Sequence, residues 1–293
     1  SMGGAVVWHM ATHHAGLWAA AAPGAGFAET AVYADTISKD PQPTWYEQKL
    51  YNLYDATQYA RNLFHCPTIA YSGSEDKQKQ AADIMTEYMV NENLELAHII
   101  GPGMGHKYDS ASIEIINDQV QRWASKPIDP YPNEIRFTTH TLRYNKMLWL
   151  TVDALDEHWK RSDVTIEVVG EDLLDIKTKN IQAFRIDVPP QIQSTDPIIL
   201  INGQRVRTFS PISPTGLRLL AFRKYRGLWA PTFPGKQDGL MTKSHGLQGP
   251  IDDAFMSRFL FVLPSGKSSS SELDEWVESE SKDAIAQWWK QFR

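Results

Sequence analysis

Between residues 1 and 125, apolar residues switch repeatedly between helical spacing and short continuous runs, and this alternation limits the fold more than any other feature of the chain. Ala5-Val6-Val7-Trp8 starts a helix that is apolar nearly all round, as a helix buried beside a parallel sheet should be. Leu17 to Pro23 reads as a short buried strand followed by a Gly-rich loop. Thr44 and Glu47 form a capping box, opening a helix with Tyr46, Leu50, Leu53 and Tyr54 on one face. Residues 66–71 are a strand, and Ala81, Ile84, Met85, Tyr88 and Met89 follow at helical spacing. Residues 94–100 are the next strand, and Ile113, Ile116, Val120 and Trp123 mark a closing helix. Strands alternating with helices imply a parallel sheet covered on both faces.

The pattern changes after the proline-rich stretch from Lys126 to Pro132. Residues 133–230 look all-β. Val164, Ile166 and Val168 alternate with Thr165 and Glu167, and Asn202-Gly203 sits at the centre of a hairpin signal spanning 198–207. A strand is expected over 259–263. Serines 268–271 then cap a helix whose stripe is Leu273, Trp276, Val277, Ala284, Trp288 and Phe292. The expected organisation is therefore an α/β part over 1–126, a β-rich domain over 133–250, and a strand plus C-terminal helix over 251–293 that continues in the full-length protein.

A net charge of −6 argues against a nucleic-acid partner. Basic residues are scattered, densest from Arg218 to Arg226, which reads as a strand with a solvated face. No apolar run is long enough to span a membrane. The single cysteine, Cys66, excludes an internal disulfide and leaves the compartment open.

Three places carry chemistry. Ser1-Met2-Gly3-Gly4 reads as the second half of a G-x-S-x-G nucleophile elbow, where small residues let a strand and a helix approach closely. Two other readings stand beside it: Ser-Met as a scar of tag cleavage, and Ser1 as an N-terminal nucleophile using its own amine as base. After the strand at 67–71 comes Ser72-Gly73-Ser74-Glu75-Asp76, and after the strand at 94–100 comes Gly101-Pro102-Gly103-Met104-Gly105-His106. Asp76 alone reads as a helix cap, Glu75 rivals it as the acid, and His106 alone reads as a loop residue. Together they give the order Ser, Asp, His, each at a strand end, which serine hydrolysis requires for nucleophile, orienting acid and base. His9, His13 and His14 have no carboxylate in the same turn, so His9 is expected to be packed and the other two to end the helix.

On these pieces, residues 1–125 resemble the C-terminal half of a prolyl-oligopeptidase-type α/β-hydrolase catalytic domain. The matching segments are Ser1-Met2-Gly3-Gly4, Pro67 to Gln78 with its Ser72-Gly73-Ser74-Glu75-Asp76 loop, and Ile100 to His106. The resemblance implies a partial parallel sheet with covering helices, Ser1 as nucleophile, Asp76 as acid, His106 as base and the Met2 backbone N–H as one oxyanion donor. It also implies a peptide or ester substrate and no metal or organic cofactor. The chain departs from the family in lacking the front half of the domain and a β-propeller, and in carrying a C-terminal β region. A carbohydrate or feruloyl-type esterase, and a binding protein on a hydrolase scaffold, are the alternatives. Residues 1–293 alone are expected to be inactive, because the elbow serine must be presented from a preceding strand.

Overall fold

The computed structural model describes residues 2–35, 40–208, 218–233, 241–255 and 258–291. Helices and sheets are mixed, with a parallel strand pair and a β-rich region, and the chain divides into two compact units, residues 1–248 and 249–293.

In the first unit, helix α1 (Met2–His13) buries Trp8 and Ala11 almost completely. The expected strand over 17–23 is displaced to residues 21–25, which run parallel to residues 67–71 with bridges Ala21 to Thr68 and Gly24 to Tyr71. Four backbone hydrogen bonds join them, Ala21 N–H to Pro67 O, Ile69 N–H to Ala21 O, Tyr71 N–H to Pro23 O and Ala25 N–H to Tyr71 O; Ala25 itself takes a positive φ. The Thr44–Glu47 capping box is present, its carboxylate accepting from the Thr44 backbone at 2.8 Å, but helix α3 (Trp45–Leu50) buries none of its residues. A four-residue helix, α2 (Thr30–Tyr33), precedes it. Strands β1 (Ile69–Gly73) and β2 (Ala97–Gly101) pair in parallel, with helices α4 (Gln80–Asn91) and α5 (Ser110–Ala124) following each in turn. All five residues of β1 are buried.

The β region forms two five-stranded sheets. One has the order β10 (Gln204–Val206), β9 (Ile198–Ile201), β7 (Leu173–Lys179), β6 (Ser162–Val169), β3 (Glu134–Thr139). The other has the order β12 (Leu228–Thr232), β11 (Leu219–Tyr225), β8 (Ile181–Asp187), β5 (Leu150–Leu155), β4 (Lys146–Met147). Pairings are antiparallel except β7 with β9, which become parallel because the intervening β8 crosses to the other sheet. Alternation sets the faces: Ile135, Phe137, Val164 and Ile166 from one sheet and Val152, Phe184 and Phe222 from the other join one buried cluster, which also includes Trp8 and Ala11 of α1. The β9–β10 turn is Asn202-Gly203 with φ of 51° and 80°, the mirror-image turn that matches strand twist.

Among the described residues, no strand of the β region pairs with β1 or β2. The two parts instead meet along β3, whose free edge would otherwise invite further pairing. Asn62, fully buried, accepts from the Thr138 N–H at 2.8 Å and donates to the carbonyls of Thr138 at 3.0 Å and Thr12 at 2.9 Å. His65 Nε2 accepts from the Arg136 N–H at 3.0 Å.

In the second unit, α6 (Ser271–Gln291) is capped by Ser270, whose hydroxyl accepts from the Leu273 N–H at 3.3 Å. The expected strand over 259–263 does not form; Phe259 packs instead on Trp288, ring centroids 4.5 Å apart. Phe292, expected on the helical stripe, lies outside the described residues.

Candidate active site

Asp76 follows β1 after a tight turn in which its N–H donates to the Gly73 carbonyl at 3.1 Å. Its two carboxylate oxygens are divided between two tasks. Oδ1 accepts from the Gln78 N–H at 2.8 Å, capping a short 3-10 turn over Lys77–Lys79. Oδ2 lies 2.8 Å from His106 Nδ1. Asp76 therefore both caps that turn and bonds to His106. A carboxylate oxygen only accepts, so Nδ1 carries a proton and donates to Oδ2. The Asp76 side chain is 6% exposed and that of His106 48% exposed, an anchored carboxylate beside an accessible imidazole.

Backbone contacts between the two loops set this geometry. Ser74 N–H donates to Gly101 O and Glu75 N–H to Met104 O, both at 2.9 Å, and Gly103 N–H donates to Ser74 Oγ at 2.8 Å. The loops lie so close that a Cβ on Gly73 would come within 2.1 Å of the Met104 carbonyl oxygen. Glu75 uses its backbone in this joint and leaves its side chain exposed, so Asp76 is the carboxylate paired with His106.

Ser1 lies outside the described residues. Met2 begins α1 and is exposed, at a helix end whose first N–H groups have no intrahelical acceptor. The start of α1 is seated on residues 24–26: a Cβ on Gly4 would lie 2.2 Å from Gly24 O, and one on Gly26 would lie 2.4 Å from Ala5 N. That loop is joined to both members of the pair. Gly26 N–H donates to Gln78 Oε1 at 3.1 Å, two residues past Asp76. Gly24 faces the Tyr108 hydroxyl, two residues past His106, and Tyr108 stacks on Tyr71 at 4.3 Å. Gln78, Tyr71 and Tyr108 carry no local signal in the sequence, because their contacts are with loops distant in sequence.

A Ser-His-Asp series runs across β1, β2 and α4. Ser72 Oγ is 2.6 Å from His98 Nε2, and His98 Nδ1 is 3.8 Å from Asp83 Oδ1. Ser72 is fully buried inside β1, and Asp83 is engaged by Lys79 at 2.6 Å. Burial lowers the His98 pKa, outweighing the opposite pull of the Asp83 carboxylate. This series is a packed polar joint out of reach of a substrate. His13 is likewise buried, bonded through Nδ1 to His9 O at 2.8 Å and stacked on the His9 ring at 4.1 Å. Among the described residues no group of His, Cys, Asp and Glu is arranged to hold a metal ion, and no helix is long and apolar enough to cross a membrane.

Neither a protein-family model nor a curated protein matches the chain. Among solved structures it is similar to the crystal structure of Porphyromonas gingivalis dipeptidyl peptidase 4, at a TM-score of 0.33 and 17% sequence identity. The match covers 42% of this chain and 18% of that one.

Proposed function

We propose that the chain carries the catalytic pair of a serine hydrolase of prolyl-oligopeptidase type, cleaving a peptide or ester bond through an acyl-enzyme. In this reading residues 1–126 belong to an α/β-hydrolase domain and residues 133–250 form a β-rich module beside it. Ser1 attacks the carbonyl carbon. His106 Nε2 takes the Ser1 proton and passes it to the leaving group, then repeats the transfer with water to release the acyl group. Asp76 holds the Nδ1–H tautomer and stabilises the imidazolium. The Met2 N–H, at the start of a helix, faces the developing oxyanion. The observation that carries the reading is the 2.8 Å bond between a nearly buried Asp76 and an accessible His106 on adjoining strand-end loops.

A fluorophosphonate probe applied to the complete gene product, followed by peptide mapping, tests it. Labelling is expected on Ser1 and is expected to be lost in Ser1→Ala and His106→Ala. Asp76→Asn should keep the fold and lower the turnover of an activated aryl ester by about 10³- to 10⁴-fold, because the amide no longer fixes the tautomer. Undiminished labelling in His106→Ala, or a label elsewhere, would overturn the assignment.

A further inference from the structure

We propose that the solvent-facing side of the sheet β12-β11-β8-β5-β4 holds a binding site for an acidic saccharide, a sugar bearing a phosphate, sulfate or carboxylate. The site is a cleft of about 430 Å³, within the range of small-molecule sites, and it contains neither Asp76 nor His106.

Strand register builds it. Lys146, Thr151, Arg185, Ala221 and Thr232 are successive cross-strand partners and form one row across the whole sheet. Ala154, Ala183 and Arg223 are partners in the next row. The alternate residues Val152, Phe184 and Phe222 point into the core, which directs these rows outward. Ala183 and Ala221 keep the floor low, while the long side chains stand around it. Residues 242–245 close one side, with His245 Nδ1 pinned 2.8 Å from Leu142 O.

Charge selects the ligand. Lys146, Arg185, Arg223 and Lys243 line the cleft against a single described carboxylate, Asp153, in a chain whose overall charge is −6. Asp153 is committed to Arg185. The Arg223 side chain makes no hydrogen bond among the described residues, and its Nε is buried without an acceptor. Lys146 is exposed and has no ion-pair partner among the described residues. Arg223 thus shares the one carboxylate, Asp153, with Arg185, while Lys146 has no such partner. The two stand three strand spacings apart, about 14 Å at the backbone, and flank the cleft from opposite sides, as suits an acidic ligand that spans it. The remaining lining is hydroxyl-bearing, with Thr151, Thr232, Thr242 and Ser244, and an exposed Phe233 stands at the margin. Hydroxyls match the hydroxyls of a sugar, and a phenyl face matches its C–H surface.

Calorimetric titration of the protein with glucose-6-phosphate, glucuronate and a sulfated oligosaccharide tests the site, with glucose and inorganic phosphate as controls. Saturable binding of an acidic sugar, absent for glucose, is expected. It should weaken about tenfold or more in Lys146→Ala and in Arg223→Ala, and should fall as salt is raised to about 0.3 M. Binding of the oligosaccharide but not of the free sugars would place the ligand on a polysaccharide; the reverse would place it among small metabolites. Lys146 is exposed, so its variant keeps the fold even where Arg223→Ala does not. No binding of any acidic sugar, equal binding of inorganic phosphate, or unchanged affinity in Lys146→Ala would overturn the proposal.

Discussion

Replacing Asn62 with alanine should loosen the joint between the α/β part and the β region. Its fully buried amide makes three hydrogen bonds to backbone groups, at 2.8, 2.9 and 3.0 Å. Each is worth about 1 kcal/mol net, and a buried backbone group left without a partner costs about 1–3 kcal/mol. Water entering the space would recover part of this, so a loss of about 3–5 kcal/mol is expected for Asn62→Ala. That is a large share of the roughly 5–15 kcal/mol that holds a typical domain folded. Asn62→Asp keeps the acceptor for the Thr138 N–H but loses both donors to the Thr12 and Thr138 carbonyls. It should fall between wild type and alanine, and should improve in acid, where a protonated carboxyl regains a donor. Urea unfolding followed by tryptophan fluorescence measures the loss as a lower midpoint at unchanged slope. Hydrogen exchange at the Thr138 amide adds a local readout and should quicken. A loss below about 1 kcal/mol, with Thr138 still protected, would refute the claim that Asn62 seals the β3 edge.

Stability should fall as pH drops from about 6.5 to 4. Burial holds His65 and His140 at about 4 and pulls His13 well below the usual imidazole value, so the unfolded chain binds more protons across that window. His65 and His140 each contribute on the order of 2–3 kcal/mol, while Asp55, pushed up to about 6 by burial, offsets one of them between about pH 6 and 4. Urea midpoints taken across this range should decline, and His140→Gln should flatten the decline; a level wild-type profile would contradict the sign. Gly4→Ala places a Cβ 2.2 Å from Gly24 O, so α1 must shift at a cost of about 1–3 kcal/mol. Fluorophosphonate labelling should drop more than the melting temperature indicates, and unchanged labelling would count against the seat of α1. Gly203→Ala, at φ 80° in the β9–β10 turn, should cost about 1 kcal/mol in the same urea assay, and a stabilised variant would argue against the turn assignment.

Features that depend on neighbouring residues were legible in the sequence. The capping box at Thr44, the Asn202-Gly203 turn and the helices at 80–91 and 110–124 follow from propensity and spacing, which act within a few residues. The loop positions of Asp76 and His106 follow from glycines and strand ends on the same scale. Spacing also misleads where it describes a face without its partner. The apolar residues of α3 find nothing to bury against within the helix's own unit, and 259–263 finds no strand to pair with. Pairing and enclosure required the folded chain. Asp76, not Glu75, meets His106 because Gly73 lets two loops, some thirty residues apart, close to backbone contact. β7 and β9 run parallel because β8 leaves for the other sheet. The basic cleft draws Lys146, Arg185 and Arg223 from three strands that only register sets on one face in adjacent rows. Short-range rules write the elements and the chemistry they carry; long-range packing alone decides which of those groups share a site.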